Sequence, residues 1–191
     1  AVNYALVQMK QRPQPSERIK QYIGFPLERA FHDFTDVPYA ELYRHFQVKA
    51  ASTVVSSSRL LDGVAPTLAE LKARGYRMSI ATTKIKAHVD GIIAKFGWQN
   101  VFELAVGGNE VPRVKPDPAQ FAYVIEKLGA KAKETLVVGD TVNDVLAAKG
   151  VPVPVAAVSS PYGGTKDTLA LNPDYAIDSL PELVALLDRI G

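Results

Sequence analysis

The chain contains no cysteine. Disulfides, thiolate metal sites and cysteine nucleophiles are thereby excluded. Long apolar runs are also missing. The longest candidate, "VPVPVAAV" at 151–158, is short and interrupted by prolines, far from the roughly 20 residues that a spanning helix needs. Neither sign of charge prevails: 22 Lys and Arg face 20 Asp and Glu, for a net charge of +2. Such a balance gives no electrostatic footprint for nucleic acid or an anionic membrane, and neither is expected as a partner. Histidine is scarce, and His32, His45 and His88 are scattered without metal-ligand spacing. No G-x-S-x-G, Walker or dinucleotide-binding signature occurs. No signal peptide is visible, and a cytoplasmic location is expected.

What is present is 191 residues, 47% of them hydrophobic, enough for one substantial domain or a domain with a smaller insert. Glycine divides the chain unequally. Of 13 glycines, only Gly24 precedes residue 60. The same stretch is rich in aromatics, from Tyr4 through Tyr22, Phe31, Phe34 and Tyr39 to Phe46. Its apolar residues recur at helical spacing: Ile19, Tyr22 and Ile23 follow a start signal at Ser16, and Leu42 and Phe46 follow Pro38. Residues 1–58 are therefore predicted to form a small all-helical unit.

Residues 59–191 alternate between helix and strand. The strands are expected at "YRMSIAT", "VFELAV", "TLVVG", "PVAAVS" and "DYAI". Helices are expected between them. One is "DPAQFAYVIEKLG", with Asp117 as N-cap, Pro118 at the first helical position and Gly129 as stop. Another follows Asp140, with Val142, Val145 and Leu146 as its apolar face and Gly150 closing it. "SSPYGGTK" at 159–166 reads as a flexible loop. Regular alternation implies an α/β fold, a doubly wound parallel sheet covered on both sides. Ligands bind such sheets at the carboxyl ends of the strands.

Three of these ends carry chemistry. "IATTK" delivers Thr82 and Thr83 to a helix start, where hydroxyls and free N–H groups suit an anion and would equally serve as an ordinary N-cap. "RVKPDP" holds Lys115 among Pro112, Pro116 and Pro118, which restrict the backbone so that the ammonium can be aimed. "VVGDTVND" places Asp140 at a strand end and Asp144 one helical turn later. One or two carboxylates plus a substrate phosphate suffice for Mg²⁺, which prefers oxygen ligands and keeps several waters. They would also fit a capped turn with a carboxylate on the helix dipole.

Taken in order, "SIATTK", "RVKPDP" and "VVGDTVND" resemble the second, third and fourth motifs of the haloacid dehalogenase superfamily, most closely its phosphoglycolate phosphatase-like branch. "YIGFPLERAF" and "PDYAIDSLPELVALL" extend the resemblance over almost the whole chain. It implies a helical cap at 1–58 that closes over a Rossmann-like α/β core at 59–191. Thr82 would bond the transferring phosphoryl group, with backbone N–H groups around Thr83. Lys115 would bind phosphoryl oxygens and the nucleophile. Asp140 would ligate Mg²⁺ directly, and Asp144 would be a second, water-mediated ligand. The implied activity is Mg²⁺-dependent hydrolysis of a small phosphorylated metabolite through an aspartyl-phosphate. A sugar phosphomutase, a pyrophosphatase or a non-catalytic phosphate-binding domain are the alternatives. The first motif, an aspartate nucleophile on the central strand, does not occur in these residues. The expectation is that a short preceding segment carries both.

Overall fold

The computed structural model describes residues 1–161 and 164–191. The chain divides into two compact units, Ala1–Ser58 and Arg59–Gly191.

The first unit consists of helices α1 (Val2–Gln8), α2 (Ser16–Lys20), α3 (Leu27–Phe34) and α4 (Tyr39–Ser57). Prolines open three of them. Pro15, Pro26 and Pro38 occupy the N-cap positions of α2, α3 and α4, with no side-chain cap bond. Proline's fixed φ prepares the first turn, and its missing N–H would have had no helical partner there. Ser16 is thus the first helical residue rather than the cap. Ala5, Leu6, Phe31 and Leu42 form the buried centre, with Phe34, Tyr39 and Phe46 packed around it. The rings of Tyr22 and Phe34 meet edge to face at 5.0 Å. Tyr39 stacks on Tyr43, and burial pushes its hydroxyl pKa up to about 12.

The second unit runs α5 (Val64–Ala73), β1 (Ser79–Ala81), α6 (Lys86–Phe96), β2 (Leu104–Val106), α7 (Ala119–Leu128), β3 (Val137–Gly139), α8 (Val142–Gly150), β4 (Val155–Val158), α9 (Thr165–Ala170), β5 (Tyr175–Ile177) and α10 (Glu182–Ile190). All strand pairs are parallel. The core is α/β, as expected, and its strands pair within two sheets, β1-β2 and β3-β4-β5. Strand β4 shows why both faces are covered. Val155 packs with Val137, Val145 and Ala148 on one side, and Ala156 with Leu71, Ile177, Leu183 and Leu186 on the other. No strand among the described residues bridges β1 and β3. Residues from both, including Ser79, Ala81, Val137 and Val138, line a cavity of about 300 Å³.

Several local details differ from expectation. Helix α7 begins one residue late, at Ala119, with Pro118 as N-cap, although Asp117 Oδ1 still accepts the Ala119 N–H at 2.9 Å. Leu146 is exposed, and Ala147 and Ala148 are buried with Val145 instead. Small residues there let α8 lie close to the sheet. Gly150 is the last residue of α8, and an added Cβ would meet Pro118 at 2.8 Å, so its small size serves α7–α8 packing. Within "SSPYGGTK", Thr165 and Lys166 already belong to α9, while Tyr162 and Gly163 lie outside the described residues.

Candidate active site

The chemistry converges on the carboxyl ends of β1 and β3. Asp140 follows Gly139, the last residue of β3, and Asp144 lies in the first turn of α8. Thr141 is the N-cap of that helix, and the Asp144 side chain reaches back to it. Asp144 Oδ2 accepts from the Thr141 N–H at 3.0 Å and from its hydroxyl at 2.7 Å. The other oxygen, Oδ1, accepts from Lys115 Nζ at 2.5 Å. Both partners are nearly buried, their side chains 12% and 9% exposed. A pair this desolvated holds a fixed geometry, because separating it would leave a charge without water or counter-ion.

Gly139 makes this arrangement possible. A Cβ at that position would lie 2.3 Å from Asp144 Cβ, a distance no side chain tolerates. The glycine is there for the approach of a carboxylate.

Lys115 stands in a loop whose Lys115–Pro116 peptide is cis. Its ammonium also donates to the Ala81 carbonyl at 3.0 Å, at the end of β1, and lies 5.6 Å from the centre of the Phe121 ring. An ammonium has three protons. Two are committed to protein, and the third is available to a ligand oxygen. Through this one side chain the end of β1 is tied to the start of α8.

Thr82 and Thr83 follow Ala81 directly. The Thr82 N–H donates to Val106 O at 3.0 Å, continuing the β1–β2 ladder. The Thr82 hydroxyl oxygen accepts from the Lys84 N–H at 3.3 Å, leaving its proton to donate outward. Across the loop, Gly108 N–H donates to Lys84 O at 2.7 Å, and Asn109 Oδ1 accepts from the first N–H of α6, that of Lys86, at 2.7 Å.

Asp140 is placed differently from Asp144. It is half-buried, lines the same cavity as Lys115 and Asp144, and its Oδ2 accepts from the Ser160 hydroxyl at 2.5 Å. Oδ1 takes no hydrogen bond from the described residues. A hard divalent cation suits this donor set: one carboxylate oxygen with an open edge, an all-oxygen surround and room for water. Asp144, with both oxygens occupied, fits an outer position. Among the described residues there is no group of three or more His, Cys, Asp or Glu side chains positioned to hold an ion.

Of the five sequence-predicted residues, Thr82 and Thr83 follow β1, Asp140 and Asp144 follow β3, and Lys115 reaches between them from the loop before α7. Lys115, Asp140 and Asp144 share one cavity, and Thr82 and Thr83 join them through the Ala81–Lys115 bond. Sequence reasoning missed Ser160 and Gln120. Gln120 is fully buried, and its Nε2 donates to Thr82 O at 2.9 Å. A signal for it existed, since Gln120 lies four residues before Val124 and so shares that residue's buried face of α7. Ser160 had none, lying in an irregular segment after β4.

Residues 1–158 match the family model of the haloacid dehalogenase-like hydrolases. Phosphoglycolate phosphatase of Haemophilus influenzae (strain 86-028NP) is 27% identical over 199 residues, covering 98% of this chain and 89% of the relative. That of Psychrobacter arcticus is 29% identical, covering 98% and 86%. The crystal structure of a predicted phosphoglycolate phosphatase from Haemophilus somnus 129PT superposes with a TM-score of 0.87 at 29% identity, covering 97% of this chain and 88% of that one. With the motifs at their strand ends and the α/β core beneath them, the chain belongs to the haloacid dehalogenase-like hydrolases, in their phosphoglycolate phosphatase-like branch.

Proposed function

We propose that this protein is a magnesium-dependent phosphatase that hydrolyses a small phosphorylated metabolite of the phosphoglycolate type through an aspartyl-phosphate. The observation that carries this reading is Lys115, held between Ala81 O and Asp144 Oδ1 with one proton left for a ligand, beside the open edge of Asp140. Phosphoryl transfer asks little covalent chemistry of a protein. It needs positioning and neutralisation of the charge on the equatorial oxygens. Lys115 supplies a fixed positive charge, the Thr82 hydroxyl and the Thr83 N–H supply neutral donors, and Asp144 keeps the ammonium from swinging away. Asp140 would hold magnesium through Oδ1, with Asp144 outside it through water, and the ion would supply the larger share of charge neutralisation. Residues 1–58 serve in this reading as the cap that selects the substrate.

The nucleophile is proposed to come from an additional parallel strand seated between β1 and β3. Both edges face one cavity of about 300 Å³, lined below by apolar residues such as Val124 and Val137 and above by Lys115 and Asp140. A strand there would satisfy both unpaired edges and present its carboxyl end to Lys115. Its carboxylate would attack phosphorus and break the P–O ester bond, the leaving alkoxide would take a proton from water, and a second water would then cleave the aspartyl-phosphate to release phosphate and restore the carboxylate. Acid quench of the full-length protein during turnover of 2-phosphoglycolate, followed by peptide mass mapping, tests this. A phosphoryl group on an aspartate outside residues 1–191 is expected. Turnover with no phosphorylated carboxylate rules the mechanism out.

A further inference from the structure

The geometry points to Gln120 as a positioning residue that aims the Thr83 N–H at the bound phosphoryl group, an inference that rests on the phosphate reading of this site. Gln120 is fully buried in the first turn of α7. Its Nε2 donates to the Thr82 carbonyl at 2.9 Å, while its Oε1 is buried with no hydrogen-bond partner. Packing does not account for such a residue. An apolar side chain of equal size would fill the space without burying an unsatisfied Oε1, and what it would lose is the bond to the Thr82 carbonyl, which is where the polar group acts.

What it acts on follows from the planarity of the peptide. The bond joining Thr82 to Thr83 is trans, since the one cis bond of the described residues is Lys115–Pro116. In a trans peptide the C=O and the next N–H point in opposite directions. Gripping the Thr82 carbonyl from α7 therefore turns the Thr83 N–H away from α7. That N–H has no protein acceptor among the described residues. The other side of the loop is equally constrained: an added Cβ on Gly108 would lie 2.7 Å from Thr83 O, so the backbone there has little room to rotate. The preceding peptide is fixed as well, through Thr82 N–H to Val106 O. Gln120 completes the set and leaves one donor, the Thr83 N–H, pre-oriented without a partner. A donor fixed before the ligand arrives does not have to be reorganised when charge develops.

Isotope-labelled wild-type protein and Q120M, titrated with inorganic phosphate, test the inference. Methionine keeps the length of the side chain and removes its donor. In the wild type, phosphate should shift the Thr83 amide resonance. In Q120M, phosphate affinity should fall about tenfold, the equivalent of one hydrogen bond to a charged group. The melting temperature should change little, because removing the orphaned Oε1 offsets leaving the Thr82 carbonyl without its donor. Q120L serves as the second variant if methionine disturbs folding. Wild-type affinity and an unchanged Thr83 response in the variants would make Gln120 a packing residue and overturn the inference, with the phosphate reading intact. A wild-type Thr83 amide that ignores phosphate would overturn both.

Discussion

Asp140 and Asp144 are the same residue type four positions apart, yet their surroundings assign them different work. Asp144 spends one oxygen on Thr141 and the other on Lys115. Asp140 gives one to Ser160 and keeps the other open. Their isosteric amides should therefore behave differently. D144N leaves a nearly buried ammonium without its counter-charge and should destabilise by about 3–5 kcal/mol, the cost of breaking a buried pair. D140N removes no such pair and should melt close to the wild type, while losing magnesium affinity. Thermal melts and magnesium calorimetry on the two variants check this. Equal destabilisation would remove the distinction between them. G139A should resemble D144N in stability, since its methyl group would occupy the space of the Asp144 side chain.

At the scale of elements, much of the fold was legible, because the signals that make it are local. Gly97 and Gly129 stop α6 and α7 in the left-handed conformation that glycine adopts freely. The apolar "TLVVG" and "PVAAVS" became β3 and β4, and β4 is covered on both faces. What was not legible depended on partners distant in sequence. Leu146 has the right spacing for the buried face of α8, but the sheet behind α8 admits the alanines at 147 and 148 and leaves the leucine outside. The site was legible as residue types at strand ends. The pairing of Lys115 with Asp144 and the grip of Gln120 on Thr82 arise from the crossing of α7 over the loop after β1, which no local pattern encodes. Within the first unit, Phe31 fills the centre between α1 and α4 and is 1% exposed. F31A should cost about 3–5 kcal/mol through loss of burial and a residual cavity. Hydrogen exchange on the α1 and α4 amides reads it out, and unchanged protection would contradict the packing described.

His88 on α6 adds a pH dependence at the same scale. Burial, aided by Lys84, holds its pKa below the ordinary histidine value of about 6.5. The unfolded chain then takes up a proton at a higher pH than the folded one. Stability should fall as pH drops from about 6.5 through the folded value, and level off below it. H88Q should flatten that segment of a stability–pH curve. An unchanged slope in H88Q would show that another group is responsible.

On the scale of the molecule, two compact units share one chain, and the α/β unit carries every group assigned to the phosphoryl site. Its strands form two parallel sheets whose facing edges line the cavity below Lys115 and Asp140. In the proposed mechanism the chemistry is a property of the strand ends, which the parallel strands beneath them position. The central claim is that these strand ends form a magnesium-dependent phosphatase site. The measurement that tests it is hydrolysis of 2-phosphoglycolate by the full-length protein, with magnesium and with EDTA, for wild type and D140N. Turnover in magnesium, abolished by EDTA and reduced at least about a thousandfold in D140N, is expected from removal of a transition-state charge partner. Turnover that survives both EDTA and D140N would contradict the claim.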